Sequence, residues 1–204
     1  KWRFILLLWL SSASIAYANP SLDELTPEQA YQQGTLLFQQ NKYTEARPLL
    51  KLAVEHGYPA AALMYADTYY TNLYVQTEEE TEYTVKAAEL GSIIGMLRAS
   101  GERSLSNDSD YWSSKSSAVI RRLAEQGNAF AMQLLSASVE DRDDRSDWLI
   151  KAAKAGDPYS QHKLARRYEN GDSWFIIPGK REKEIERLFK AAADSGYWQA
   201  MRTY

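Results

Sequence analysis

Five stretches of this chain mix apolar and charged residues in the pattern of a helix, and each of them ends in Gly. The residues around the five glycines resemble one another. The Gly residues are separated by 29 to 40 residues. A repeat length in this range predicts stacked helix pairs that form an elongated array. The five segments are Leu49–Gly57, Thr84–Ser92, Ile120–Asn128, Leu149–Asp157 and Leu188–Gly196.

The same pattern predicts an all-α fold of about five antiparallel helix pairs. No stretch alternates at period two with β-branched residues, so we expect no sheet. The expected helices are 27–40, 43–56, 59–72, 78–90, 92–102, 110–126, 128–140, 146–155, 158–170 and 182–195, followed by a fragment from 197 to 204.

Helix-end signals support these boundaries. Gly91, Gly127 and Gly156 suit the left-handed position that closes a helix, and each is followed at once by Ser, Asn or Asp, which are good N-cap residues. Thr26 with Gln29 forms a capping-box pattern at the first helix. Helix ends and starts this close together predict very short turns between antiparallel helices.

The first eighteen residues have the pattern of a cleavable export signal. A basic start is followed by the apolar run Phe4–Leu10 and then by Ala16-Tyr17-Ala18, an A-x-A cleavage pattern. The alternative is a membrane anchor, but the apolar run is shorter than the roughly 20 residues that span a bilayer. We therefore expect residues 1–18 to be a signal peptide, residues 19–204 to be the mature repeat domain, and the protein to be periplasmic.

Composition narrows the function classes. The chain has no Cys, so disulfides, thiolate metal sites, a cysteine nucleophile and a lipid-modified Cys are excluded for this sequence. The formal net charge of −3 argues against a nucleic-acid footprint, which needs clustered positive charge. We therefore expect neither nucleic-acid binding nor a stable membrane anchor after signal cleavage.

Candidate chemistry is sparse. The two histidines, His56 and His162, have no metal-ligand spacing, so surface or capping roles are expected. The run 141–147 has the carboxylates of a calcium loop but lacks its Gly and Glu, and its two Arg would repel a cation, so we interpret it as a solvated turn. We predict no catalytic residue, no metal and no cofactor.

The last third of the chain resembles Sel1-like repeats, a relative of the tetratricopeptide repeat. Residues 152–200 carry the small, aromatic and Gly positions of that pattern in both helices of a pair. The segment 171–178 departs from the family's usual turn. The first helix pair is similar to a plain tetratricopeptide unit. The matching residues are Leu164, Ala165, Tyr168, Gly171, Phe189, Ala191, Ala192 and Gly196, and in the first pair Gly34, Ala46 and Ala53.

The resemblance, which covers about residues 26–204, implies a right-handed α-solenoid that binds a protein partner and is not an enzyme. Exported proteins of this kind include immunity proteins that block toxin effectors of type VI secretion, and this is the leading specific hypothesis. An envelope scaffold or regulator is the alternative. An enzyme that acts on cell-wall material through groove carboxylates is a third reading.

Aromatic residues anchor interfaces disproportionately, so the candidate partner-binding positions are aromatic and apolar. The alternative for Tyr69, Tyr70 and Tyr74 is packing between repeats. The alternative for Tyr111 and Trp112 is that the Ser/Asp-rich stretch 104–117 is a flexible linker. The alternative for the apolar loop at 173–178 is that it folds back and fills the groove. The candidates are Tyr69, Tyr70, Tyr74, Tyr111, Trp112, Trp174, Phe175, Ile176 and Ile177.

Overall fold

A computed structural model of the chain describes residues 21–69, 77–101, 108–172 and 177–203. The expected signal peptide and its cleavage site lie outside these ranges. Within them the chain forms helices and no strand, as the hydrophobic pattern predicts. None of the described helices combines the length and apolarity needed to cross a membrane.

The described residues form a short 3₁₀ turn at Leu22–Glu24 and eleven α-helices in sequence. Each α-helix packs against the next one along the chain, and α1 also contacts α3. The helices are α1 (Pro27–Gln39), α2 (Tyr43–Glu55), α3 (Pro59–Asp67), α4 (Glu78–Glu89), α5 (Ile93–Ala99), α6 (Ser109–Glu125), α7 (Ala129–Ser138), α8 (Arg142–Lys154), α9 (Pro158–Glu169), α10 (Lys180–Asp194) and α11 (Trp198–Met201).

Two helices differ clearly from their predicted bounds. Helix α3 ends at Asp67, five residues earlier than expected. Helix α8 begins at Arg142, so the run 141–147 is a helix start and its interpretation as a solvated turn is wrong. The physical reason is capping: an Asp141 side-chain oxygen accepts the backbone N–H groups of Asp143 at 2.8 Å and Asp144 at 2.9 Å.

The predicted helix ends are confirmed and share one geometry. Gly57 has φ +86°, and the four equivalent glycines have φ between +82° and +96°. After α2, the Gly57 N–H donates to the Val54 carbonyl and the Tyr58 N–H donates to Ala53, which is the Schellman arrangement. Such a turn satisfies the last carbonyls of one helix and leaves the following residue free to cap the next.

Small residues set the distance between neighbouring helices. Ala87 and Ala88 of α4 are fully buried, and Gly95 of α5 lies directly against them. A Cβ at Gly95 would lie 2.7 Å from the Ala88 nitrogen and 2.9 Å from the Ala87 carbonyl carbon. Only a residue without a side chain therefore permits this approach of α4 and α5.

The buried core is a series of clusters along the array. One cluster joins α2, α3 and α4 around Leu50, and the next joins α4, α5 and α6 around Met96. Two more follow, around Leu135 and around Leu188. Each cluster connects only neighbouring helices, as expected for a solenoid, so each end of the array has its own local core.

Candidate binding groove

Helices α7, α8 and α9 enclose a cavity of about 420 Å³, which we call the cationic groove. A volume of this size is within the range of small-molecule and side-chain binding sites. Its walls are Ser136 of α7, four residues of α8, two of α9, and Asp172 just beyond α9. The lining residues are Ser136, Arg142, Arg145, Ser146, Leu149, Lys163, Arg167 and Asp172.

The register of α8 separates its charges. Arg142, Arg145 and Leu149 lie three, four or seven residues apart, so they share the face of α8 that lines the groove. Asp143, Asp144 and Asp147 fall between them and are exposed outside the groove lining. A stretch of alternating charge in sequence thus becomes a cationic face and an acidic face once it is helical.

Two of the groove cations are held by protein oxygens. The Arg145 guanidinium donates to the Val139 carbonyl at 3.0 and 3.3 Å and to the Glu140 carbonyl at 3.3 Å. The Arg167 guanidinium donates to the Ser146 hydroxyl at 3.1 Å. Both side chains are therefore positioned before any ligand arrives, and the Arg145 contacts are neutral and leave its positive charge uncompensated.

Little negative charge offsets the groove cations. Among the lining residues that the structure describes, Asp172 is the only carboxylate, and its oxygen lies 3.7 Å from Arg167 Nε. In the described part of the chain, Arg142, Arg145 and Lys163 form no ion pair. Lys163 instead lies over the Tyr159 ring, with its nitrogen 5.5 Å from the centroid.

The positive charge of the groove is a product of folding. Residues 129–172 contain seven Lys or Arg and eight Asp or Glu, so this segment has no excess of positive charge. The acids have other positions: Asp141 and Asp157 cap helices, and Glu169 pairs with Arg166 at 2.7 Å. Tertiary packing then brings four of the cations around one cavity.

A second cavity of about 350 Å³ has the opposite character, and we call it the acidic cleft. It lies between the end of α2 and helix α4. Glu55 and Glu82 contribute two carboxylates and Lys86 one cation, and Lys86 already lies 3.7 Å from Glu89. The remaining lining residues are Val54, Gly57, Tyr83 and Leu90.

The first of the predicted partner-binding tyrosines is engaged within the fold. Tyr69 is half-buried, its hydroxyl lies 3.1 Å from that of Tyr65, and the Arg47 guanidinium lies 4.0 Å over its ring. Burial raises the pKa of Tyr65 well above its ordinary value, and the bond to Tyr69 adds to this. Packing between repeats therefore accounts for both side chains. Tyr70 and Tyr74 lie outside the described residues.

The remaining described positions are Tyr111 and Trp112, whose ring centroids lie 4.9 Å apart on α6, and Ile177. Trp112 is only 4% exposed and belongs to the core around Met96, so its proposed surface role is wrong: the indole fills the space between α4, α5 and α6. Tyr111 is 55% exposed and Ile177 is 59% exposed, so both are open to contact. Trp174, Phe175 and Ile176 lie outside the described residues.

The histidines occupy two different environments. His56 is exposed at the end of α2, with Nδ1 2.9 Å from the Leu52 carbonyl, which fits the expected capping role. His162 is half-buried, and its ring packs against Phe189 and Tyr197. Burial and the Arg166 charge lower its pKa. Across the described ranges, no cluster of three or more His, Cys, Asp or Glu could hold a metal ion.

Sequence reasoning missed the groove residues altogether. The sequence signal that could have found them is the spacing of Arg142, Arg145 and Leu149 on one helix face. Lys163 and Arg167, four residues apart on the next helix, add to this signal. That spacing carries information only if 142–149 is helical, whereas the sequence pattern favours a solvated turn over 141–147 and a helix only from 146. The Asp141 N-cap, followed by two acids in the first turn, was the signal for a helix start.

Comparison with known proteins supports the architecture. No protein-family model matches the chain, and no curated protein matches it significantly. Among solved structures, a Sel1 repeat protein from Oxalobacter formigenes is similar with a TM-score of 0.57 and 20% identity, over 87% of this chain and 76% of that one. A protective antigen present in uropathogenic Escherichia coli strains, which displays an SLR fold, is similar with a TM-score of 0.51 and 20% identity, over 87% of this chain. This chain spans 40% of that antigen's length. The chain thus has the fold of Sel1 repeat proteins, an all-α solenoid of consecutive helix pairs.

Proposed function

We propose that this chain is a non-enzymatic, exported repeat protein that binds a protein partner in the periplasm. The observation that carries the proposal is the cationic groove, where four positive side chains from two successive repeats line one cavity with a single carboxylate. Charge of one sign gathered in a concavity is an electrostatic signature of a recognition surface.

The most specific form of the proposal is an immunity protein that neutralises a secreted toxin effector, such as one delivered by type VI secretion. Three features support it: the export-signal pattern at residues 1–18, the small solenoid, and a groove suited to a partner of opposite charge. An envelope scaffold or regulator would use the same surface, and the identity of the partner distinguishes the two.

The test is capture of the tagged protein, expressed from its own export signal and cross-linked in living cells before lysis. Fractionation first locates it, and mass spectrometry then identifies what is cross-linked to it. A stoichiometric toxin domain supports immunity, and a resident envelope protein supports the scaffold or regulator role. Recovery from the cytoplasm alone, or recovery of no protein at all, contradicts the proposal.

A separate assay tests the non-enzymatic part of the proposal. The protein is incubated with purified cell wall, and soluble fragments are measured by chromatography. We expect no fragments above a boiled-protein control. Fragments that disappear when Glu55 and Glu82 of the acidic cleft are changed to Gln would indicate an enzyme, and the protein-binding role would then need independent support.

A further inference from the structure

We infer that the cationic groove binds a carboxylate-rich segment of the protein partner, through Arg142 and Lys163 on either side of the cavity and the two preset guanidinium groups. This inference rests on the proposed function and specifies the chemistry of the partner. Among the described residues that line this groove, cations outnumber carboxylates four to one.

The arrangement of the cations is a cost to the isolated protein. Like charges that line one cavity repel each other, although water screens much of this repulsion because Arg142, Arg145 and Lys163 are exposed. Arg142 also lies in the first turn of α8, where the helix dipole disfavours positive charge. Binding of an anionic group relieves both effects, so the free energy that these residues cost the fold becomes available on association.

Hydrogen-bonding geometry favours carboxylates as the ligand groups. Guanidinium groups donate charge-assisted hydrogen bonds to carboxylate oxygens, and Arg145 keeps its Nη1 group for such a ligand because its Nε and Nη2 groups are bonded to carbonyls. Arg145 is fixed by the carbonyls of Val139 and Glu140, and Arg167 by the hydroxyl of Ser146, so little side-chain entropy is lost when a ligand binds. The Ser146 hydroxyl accepts from Arg167 and keeps its own proton to donate.

The surroundings of the groove favour a peptide over a nucleic acid. A nucleic-acid backbone requires positive charge that continues along an extended track. Here the cations are confined to one concavity, and Asp143, Asp144 and Asp147 are exposed on the neighbouring faces of the same helix. A row of phosphates would meet these carboxylates, whereas single acidic side chains of a peptide can enter the cavity between them.

The test uses the folded mature protein and a fluorescein-labelled peptide of alternating Asp and Glu, with a Ser–Gly peptide as the neutral probe. The groove variant is Arg142→Glu with Lys163→Glu. The matched control is Arg121→Glu with Lys183→Glu, which makes the same change in net charge at exposed positions outside the groove. Circular dichroism checks that each variant is folded, and Arg142→Ala with Lys163→Ala replaces the groove variant if the charge reversal prevents folding.

We expect the acidic peptide to bind the wild-type protein. Its affinity for the groove variant should be lower by about tenfold or more, whereas its affinity for the control should be close to that for the wild type. Binding should also fall as salt rises from about 0.05 to about 0.5 M, because the screening length shortens. Equal losses in the groove variant and the control, or equal binding of the Ser–Gly peptide, would overturn the inference.

Competitors separate a peptide site from a small-anion site. Free glutamate and inorganic phosphate should displace the acidic peptide only at concentrations far above that of the peptide itself. Displacement by either small anion at a comparable concentration would overturn the peptide assignment and indicate a site for a free anion. A short single-stranded DNA that competes better than the peptide would also overturn it.

The cellular capture distinguishes failure of this inference from failure of the proposed function. If the groove variant captures the same partner as the wild type, the groove assignment fails and the protein-binding function stands. If no form captures a protein, the proposed function fails, and the peptide titration still reports on the groove independently.

Discussion

The cationic groove and the acidic cleft are built by the same architecture but have opposite chemistry. Both are concavities between helices of successive repeats, of about 420 and 350 Å³. Arg142, Arg145, Lys163 and Arg167 line the first, whereas Glu55 and Glu82 with a single Lys line the second. The repeat therefore produces the cavity, and the residues placed on its helical faces decide what it can bind.

The local core of each region makes the comparison testable. Leu50 and Gly95 belong to the half of the array that contains the acidic cleft, whereas Leu149 and Leu188 belong to the cluster next to the cationic groove. Each repeat of a solenoid contacts mainly the repeats next to it, so a destabilising substitution in one half should leave ligand binding by the other half intact.

The largest expected effect is on the framework near the acidic cleft. Gly95→Ala should lower the free energy of unfolding by about 1–3 kcal/mol, because the new methyl group would lie 2.7 Å from the Ala88 nitrogen. Helix propensity alone predicts a higher free energy of unfolding, since Ala is favoured over Gly by about 1 kcal/mol in a helix interior. Urea unfolding measures the change, and a stabilised variant would contradict the close approach of α4 and α5. Binding of the acidic peptide to the folded variant should be unchanged.

A smaller effect is expected when the charge of the acidic cleft is reversed. Glu55→Lys with Glu82→Lys makes all three charged residues of this cleft positive, and we expect the acidic peptide to gain affinity by less than about tenfold. The gain is limited because no arginine is preset there as Arg145 is. A fluorescence titration in the background of the groove variant isolates this second site. Affinity equal to that of the wild-type groove would show that charge alone, without preset guanidinium groups, accounts for binding.

A still smaller effect separates function from stability within the groove. Arg142→Ala removes a cation from the first turn of α8, where positive charge is unfavourable by about 0.3–1 kcal/mol, so stability should be unchanged or slightly higher. The thermal midpoint measures this, while the peptide titration should show weaker binding. A clear loss of stability would mean that Arg142 serves the fold, which contradicts its assignment to recognition.

The smallest effect concerns pH. The pKa of His162 is lowered by burial and by Arg166, so as pH falls the unfolded chain takes up a proton before the folded protein does. The stability contribution is complete above the ordinary pKa of 6.5 and is lost as pH falls through the lower folded value. His162→Gln should therefore flatten the fall in thermal midpoint between pH 7 and 5. The cationic groove has no histidine among its lining residues, so peptide binding should persist over this range. An unchanged pH profile in the variant would show that a group other than His162 causes the acid sensitivity.

Much of the fold could be predicted because the signals are local. Five repeats end in a Gly, and three of these glycines are followed at once by a side chain that caps the next helix, at Ser92, Asn128 and Asp157. Both requirements are visible within a few residues of sequence. The end of α8 just before Gly156 and the start of α9 after Asp157 follow directly from this rule. The start of α8 does not follow as directly, because the mixed charge of 141–147 also fits a solvated turn, and only the cap at Asp141 marks it as a helix start.

The candidate site could not be predicted in the same way. Aromatic residues such as Trp112 were expected at an interface, yet the same apolar area that favours binding also favours burial, and only packing decides between them. The expected site residues that the structure describes do not gather in one place. Ser136, Arg145 and Arg167 do, although they come from three helices.

By itself, the amino-acid sequence determined the helices, their caps and their repeated order, since hydrogen bonds at helix ends and the spacing of small residues act over short distances along the chain. Tertiary structure alone decided where the charge lies. The region around α8 has no excess of cations in sequence, and the groove becomes positive because helical periodicity turns Arg142 and Arg145 to one face and packing brings α9 against it. Electrostatic potential depends on distances through space, and these exist only once the helices are packed.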